Sequence, residues 1–240
     1  MKNKKEREII SIEYTFVFDE NDEKKFEIKL DAQTLDLIHS DSPKEYPEWT
    51  LLENNRCSNC TLKKEKGRYC PVSMNIHDLV TSFSHLMSHE IVTVVVRAHD
   101  RIYTKEVPIQ KGLSSLMGIY MVTNECPVMS KLKHMVRFHL PFASPLETVN
   151  RILSSYLLAQ YFRARNDQTT DWDLVHLKDL YQEIRIVNQA IMKRMVNLDN
   201  KNDAHLNALV CLDTFAMAIS YVDDTSVLSR LESVFSSYLD

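Results

Sequence analysis

The residues in this chain best placed to do chemistry are four cysteines. Cys57-Ser58-Asn59-Cys60 is a C-x-x-C pair, Cys70 follows after nine intervening residues, and Cys126 stands far along the chain. A C-x-x-C turn lets two thiolates grip one ion, at about 2.3 Å each for zinc. Cys70 is followed by Pro71 and Cys126 by Pro127, and proline favours the first turn of a helix. Thiolates there would face the positive end of a helix dipole, which lowers their pKa. The four together predict a metal site. Zn2+ is the first choice, because four thiolates suit a closed structural centre. A [4Fe–4S] cluster takes the same ligand number. The plainer reading is that no cofactor binds, with Cys57 and Cys60 as surface thiols and the others as small packed hydrophobes. His134 and His139 are the alternates should a cysteine fail as fourth ligand. Cys211 sits in an apolar segment and reads as core.

Other clusters carry less. His85 and His89 have i, i+4 spacing, but His89 is expected to leave the helix before the following strand. Asp171, Asp173 and His176 look like ligands on one helix, yet acidic residues at a helix start are what the dipole favours. Asp223-Asp224 reads the same way. Arg151, Arg163 and Arg165 could meet a phosphate, and Ser114-Ser115 an anion; dipole compensation and capping explain them equally well. No order of Ser, His and Asp, or of Cys and His, specifies a nucleophile. The chain has three glycines, Gly67, Gly112 and Gly118. They cannot spell a dinucleotide fingerprint, a phosphate-binding P-loop or a nucleophile elbow. The chain therefore reads as non-enzymatic, with catalysis in an unrecognised pocket as the remaining possibility.

The elements that must position the cysteines follow from hydrophobic period. Residues 9–18 and 25–30 alternate and predict a hairpin over the turn Asp19–Lys24. The stretch Ser40–Glu48, with Pro43 and Pro47, breaks the pattern. Residues 57–70 carry four basic side chains around Gly67 and little apolar surface. Such a segment has little burial to offset its ordering entropy, which is itself an argument for metal. Ile76, Leu79, Val80 and Phe83 take helical spacing. The β-branched run 91–96 predicts a buried strand that pairs with 102–109. Gly112 is expected to open a short helix. Ser144-Pro145-Leu146-Glu147 is a capping box, followed by a stripe from Val149 to Tyr161. A second stripe runs from Leu174 to Met195. The segment 203–221, apolar nearly all round, predicts the least exposed helix, and a last helix carries Leu228 to Tyr238. The fold class is α+β: two antiparallel β pairings plus helices in the N-terminal half and an all-helical bundle in the C-terminal half. The division expected is 1–143, with the cysteine loop, and 144–240, possible also as one continuous domain.

Composition narrows the function. The 240 residues are 44% hydrophobic and 26% charged, with a net charge of −4, and each half carries −2. No concentrated positive surface is available for non-specific nucleic-acid binding. No apolar run approaches the roughly 18 residues of a membrane span. The basic start Met1–Arg7 leads into an alternating strand pattern and not into the apolar core of an export signal. An odd number of cysteines in a chain this long argues against a disulfide framework, so the expected place is the reducing cytoplasm.

The combination Cys57-Ser-Asn-Cys60, Tyr69-Cys70-Pro71-Val72, Cys126-Pro127 and His139-Leu140-Pro141-Phe142-Ala143 resembles an uncharacterised bacterial family known as a domain of unknown function, over residues from about 49 to 195. That resemblance implies a bacterial intracellular protein and no particular activity. The expectation is a metal-stabilised interaction or regulatory protein that binds protein partners. An iron–sulfur or thiol-based redox sensor is the alternative.

Overall fold

Alternation builds the sheet. In strand β1 (Ile9–Asp19) the side chains of Ile10, Ile12, Tyr14 and Phe16 are buried, and in β3 (Ile91–Ala98) those of Val92, Val94, Val96 and Ala98. A period of two puts each set on one face. β2 (Asp22–Asp31) returns from β1 as the expected hairpin, and β4 (Arg101–Pro108) returns from β3. The two pairings are not separate. β1 also pairs antiparallel with β3, setting Tyr14 opposite Val96 and Phe16 opposite Val94. One four-stranded sheet results, in the order β2-β1-β3-β4. The computed structural model describes residues 8–39, 45–196, 198, 203–220 and 226–239. The start Met1–Arg7, Pro43 and the Asp223-Asp224 loop lie outside these.

Helices α1 (Pro71–Phe83) and α2 (Ile109–Val122) cover the buried face. α2 starts three residues before Gly112 and uses that glycine for close approach. A Cβ built there would stand 2.8 Å from Val94 Cγ2 and 3.0 Å from Phe16 Cε1. Phe83 closes α1 onto the hairpin through edge contact with Phe16 and stacking on Phe26. The opposite face is polar, and there Arg97 on β3 pairs with Glu13 on β1 at 2.7 Å.

The C-terminal half is helical: α3 (Lys133–Arg137), α4 (Pro145–Arg165), α5 (Val175–Val196), α6 (Ala204–Ser220), α7 (Ser226–Glu232) and α8 (Ser236–Leu239). The capping box forms as the sequence predicts: Ser144 Oγ accepts from Glu147 N, and Ser144 N donates to Glu147 Oε2. Asp171 opens α5, accepting from the N–H groups of Val175 and His176. α6 packs against both α5 and α2. It is not the least exposed helix, however. Val210 and Met217 are exposed, and Phe215 is half-buried along a cavity. Apolar residues all round let a helix face a cavity and the surface as readily as the core. No helix among the described residues is long and apolar enough to cross a membrane.

Candidate functional site

The cysteine segment is held by hydrogen bonds at every turn. Cys60 N donates to Cys57 O at 3.1 Å, closing the C-x-x-C turn. Arg56 Nη2 donates to the carbonyls of Cys60 (3.0 Å) and Leu62 (2.6 Å), while Nη1 pairs with Glu53. Asn59 Nδ2 reaches α5, donating to the Glu183 carbonyl and carboxylate. Gly67 turns the strand-poor loop at φ +78, a conformation that favours glycine. Leu51 then bridges Tyr69, and Cys70 N donates to Thr50 O at 2.7 Å. The ordering cost of residues 57–70 is thus met in large part by polar contacts, which removes much of the need for a metal on that ground alone.

Cys70 is the N-cap of α1, with Pro71 in the first turn, as its spacing predicts. Cys126 follows α2. Asn124 caps that helix by donating to the carbonyls of Tyr120 and Met121, and its Oδ1 accepts from Cys126 N at 2.9 Å. Asn75 on α1 donates to Tyr120 O and Thr123 O, so the start of α1 and the end of α2 are tied side by side. All four sulfur-bearing residues border one small cavity of about 20 Å3, with Leu52, Asn59 and Arg194 also around it. That volume is close to one atom-sized occupant. None of the five cysteines is in a disulfide. Among the described residues, no group of three or more His, Cys, Asp or Glu side chains stands as a ready metal-holding cluster.

Cys126 departs from the expectation of a depressed pKa, and Cys57 is raised as well. Burial pushes Cys57 up to about 12, helped by Cys70, Cys126 and Cys60 nearby and opposed by the Arg194 cation. Burial also raises Cys126, although the N–H groups of Met129 and Val128 favour its thiolate. At Cys126 desolvation outweighs those N–H groups because the sulfur is packed and not solvated. Both thiols are protonated at neutral pH in this state.

Arg194 is the residue that sequence reasoning passed over. It is 1% exposed, at the end of α5. Nη1 donates to Leu51 O (2.8 Å), Ser73 Oγ (3.2 Å) and Trp49 O (3.3 Å), and Nη2 to Leu52 O (3.3 Å). Its Nε has no hydrogen-bond partner among the described residues. Every partner is neutral, so a buried positive charge stands beside four thiols. The signal was present in the sequence: Arg194 falls three residues after Ile191 and seven after Val187, on the buried stripe of α5.

The two alternate ligands go elsewhere. His134 is on the surface of α3, hydrogen-bonded to Lys131 O at 3.0 Å, and does not border the cysteine cavity. His139 lines a different, much larger cavity and meets the Tyr14 hydroxyl at 2.5 Å through Nε2; the same hydroxyl lies 2.8 Å from Ser115 Oγ. Burial, with Arg151 and His99 adding to it, lowers the His139 pKa to about 3. Neither ring can replace a cysteine without a rearrangement of α3 and the segment after it.

Comparison with known proteins adds one match. The family described as Domain of unknown function (DUF6901) matches residues 12–236. No curated protein and no solved structure matches the chain.

Proposed function

We propose, for a chain that belongs to the DUF6901 family along nearly its whole length, a non-enzymatic role as a metal-stabilised interaction or regulatory protein. Cys57, Cys60, Cys70 and Cys126 would hold the metal. The observation that carries this reading is their convergence, from three separate places in the chain, on one atom-sized cavity. The donor set fits zinc: four sulfurs and no oxygen ligand. Bound there, the metal would tie the C-x-x-C turn, the start of α1 and the end of α2 together. Arg194 supports the same reading. Four thiolates around a divalent ion carry a net charge of −2, and a buried guanidinium with only neutral partners offsets part of it. The four side chains must draw inward around the ion, since they do not yet stand as a ready cluster. The cavity volume favours a single ion over a cluster of eight atoms, and the raised Cys57 pKa disfavours a reactive thiolate sensor.

The interaction part rests on α4. Leu158 (53% exposed) and Phe162 (51% exposed) lie on one face with Tyr161, and Trp172 is exposed beyond the helix end. Isolated exposed apolar residues are ordinary, but several together on one element mark a contact surface. The partner expected is another protein, as no excess of positive charge suits nucleic acid.

Elemental analysis of anaerobically purified protein tests the metal. Stoichiometric zinc in colourless protein is the expected result. Cys60→Ser should lose it, and Cys211→Ser should keep it. Protein that folds and retains neither zinc nor iron after purification and reconstitution would overturn the metal reading. Absorbance near 400 nm with iron would replace zinc by a cluster.

A further inference from the structure

The larger cavity shares no lining residue with the cysteine site. It lies between α2, α4, α5 and α6 and the segment 129–143, and its volume is about 750 Å3. Small-molecule sites commonly fall between about 300 and 1,000 Å3. Its walls are mostly apolar, with Ile119, Met121, Val136, Ile152, Ile184 and Phe215 among them. Methionine side chains adapt to irregular apolar ligands, and Met129 and Met135 also face this space.

The polar groups on these walls are mixed, and several are engaged: Ser115 and His139 meet the Tyr14 hydroxyl, and Asn188 donates to Asp213. Tyr181 is 4% exposed, and its hydroxyl takes part in no hydrogen bond among the described residues. The hydroxyl oxygen is not among the fully buried unpartnered atoms, so it opens onto the cavity and is available to a ligand there. Burial raises its pKa, so it stays a hydrogen-bond donor. Arg151 uses one amino group, Nη2, for the carbonyls of Met135 (3.0 Å) and Phe138 (2.7 Å). Its Nη1 and Nε make no hydrogen bond among the described residues. Exposed Lys105 and Lys111 stand at the rim. Among the described residues the one carboxylate lining the cavity, Glu147, is engaged by Ser144 N at 2.7 Å in the capping box. Free donors and positive charge therefore face a mostly apolar space.

We infer that this cavity binds an amphipathic carboxylate, a single acyl chain lying along the apolar walls with its carboxylate held by Arg151 and Tyr181. The chain replaces wall-to-water contact with wall-to-chain contact. The carboxylate accepts from the Arg151 guanidinium, through Nη1 or Nε and not as a two-point fork because Nη2 is engaged, and from the Tyr181 phenol. A neutral head group would leave Arg151 with only the partial compensation of Glu147, whose carboxylate is shared with the capping box, and this gives the site its selectivity.

The test is displacement of a fluorescent dansylated fatty acid from the purified full chain. Dodecanoate should compete saturably, and dodecanol, with the same chain and no charge, at least about tenfold more weakly. Tyr181→Phe should weaken dodecanoate several-fold and leave dodecanol unchanged. Arg151→Gln should erase the preference for the acid. Gly118→Leu, which projects a side chain into the cavity from α2, should block both ligands. Arg151 also holds α3, so circular dichroism must show each variant folded; should Arg151→Gln unfold, Tyr181→Phe and Gly118→Leu still decide. Absence of saturable dodecanoate binding overturns the inference. So does equal affinity for dodecanol, or binding untouched by Gly118→Leu.

Discussion

Half-buried His139 and buried Arg194 carry sharp expectations at the scale of the single side chain. In the unfolded chain the His139 ring takes its proton near 6.5, but in the fold only near 3. Between those values the unfolded state binds more protons, so stability is complete above about pH 6.5 and is lost as pH falls toward 3. The expected loss is on the order of 2 kcal/mol, less than the full shift implies because the ring borders a cavity. His139→Phe should flatten the dependence of unfolding free energy on pH between about 4 and 6.5; a slope equal to the wild type's would place the acid sensitivity elsewhere. Arg194→Met should cost about 2–4 kcal/mol in urea denaturation by removing the donor to the carbonyls of Trp49 and Leu52 and leaving Leu51 O with Asn54 N alone. Arg194→Lys should rescue little, because an ammonium cannot fork toward four acceptors. The C-x-x-C spacing made two of the cysteines legible in sequence, and their proline neighbours the other two. Arg194 was equally legible as a charge on an apolar stripe. The carbonyls that it serves belong to a loop about 140 residues earlier, and nothing local points to them.

At the scale of the element, the strands and helices follow their periods closely, because each buries one face. α2 is the instructive case. Gly112 and Gly118 sit on the same helix, yet Ala substitution should act with opposite signs. At Gly112 the new methyl meets Val94 and Phe16, core residues with no room to yield; overpacking should outweigh the gain in helix propensity, for a net loss of about 1–2 kcal/mol. At Gly118 the nearest atom is Leu212 Cδ2 at 3.6 Å, ordinary contact, so Gly118→Ala should stabilise by about 0.5–1 kcal/mol. Thermal melts of the two variants check both signs at once. α6 misled sequence reasoning for a related reason. Apolar residues on all sides say that water is unwelcome, not which side meets a neighbouring helix and which lines a cavity.

Over the whole molecule, the division into 1–143 and 144–240 meets a particular contact. α6 packs on α2 as well as on α5, and Ala204 N donates to Leu86 O across the proposed boundary. Asp203 likewise accepts from Ser88 N at 2.9 Å. These ties lead us to expect one cooperative unfolding transition. Scanning calorimetry should give equal calorimetric and van't Hoff enthalpies; two resolved transitions would support two domains. The large cavity could not be read from sequence at all. Its walls come from separate helices, and its volume depends on how far apart they pack, which no local pattern specifies.

The β1–β3 ladder has a consequence for how the molecule is made. Its partners are about 80 residues apart, so closing it costs more loop entropy than either hairpin does. During synthesis, β1 and β2 can pair as soon as both are released, but the other edge of β1 stays open until Ala98 has left the ribosome. An open edge is a template for intermolecular pairing. A nascent chain stalled before Ile91 should therefore aggregate through β1, while one extended past Pro108 should not.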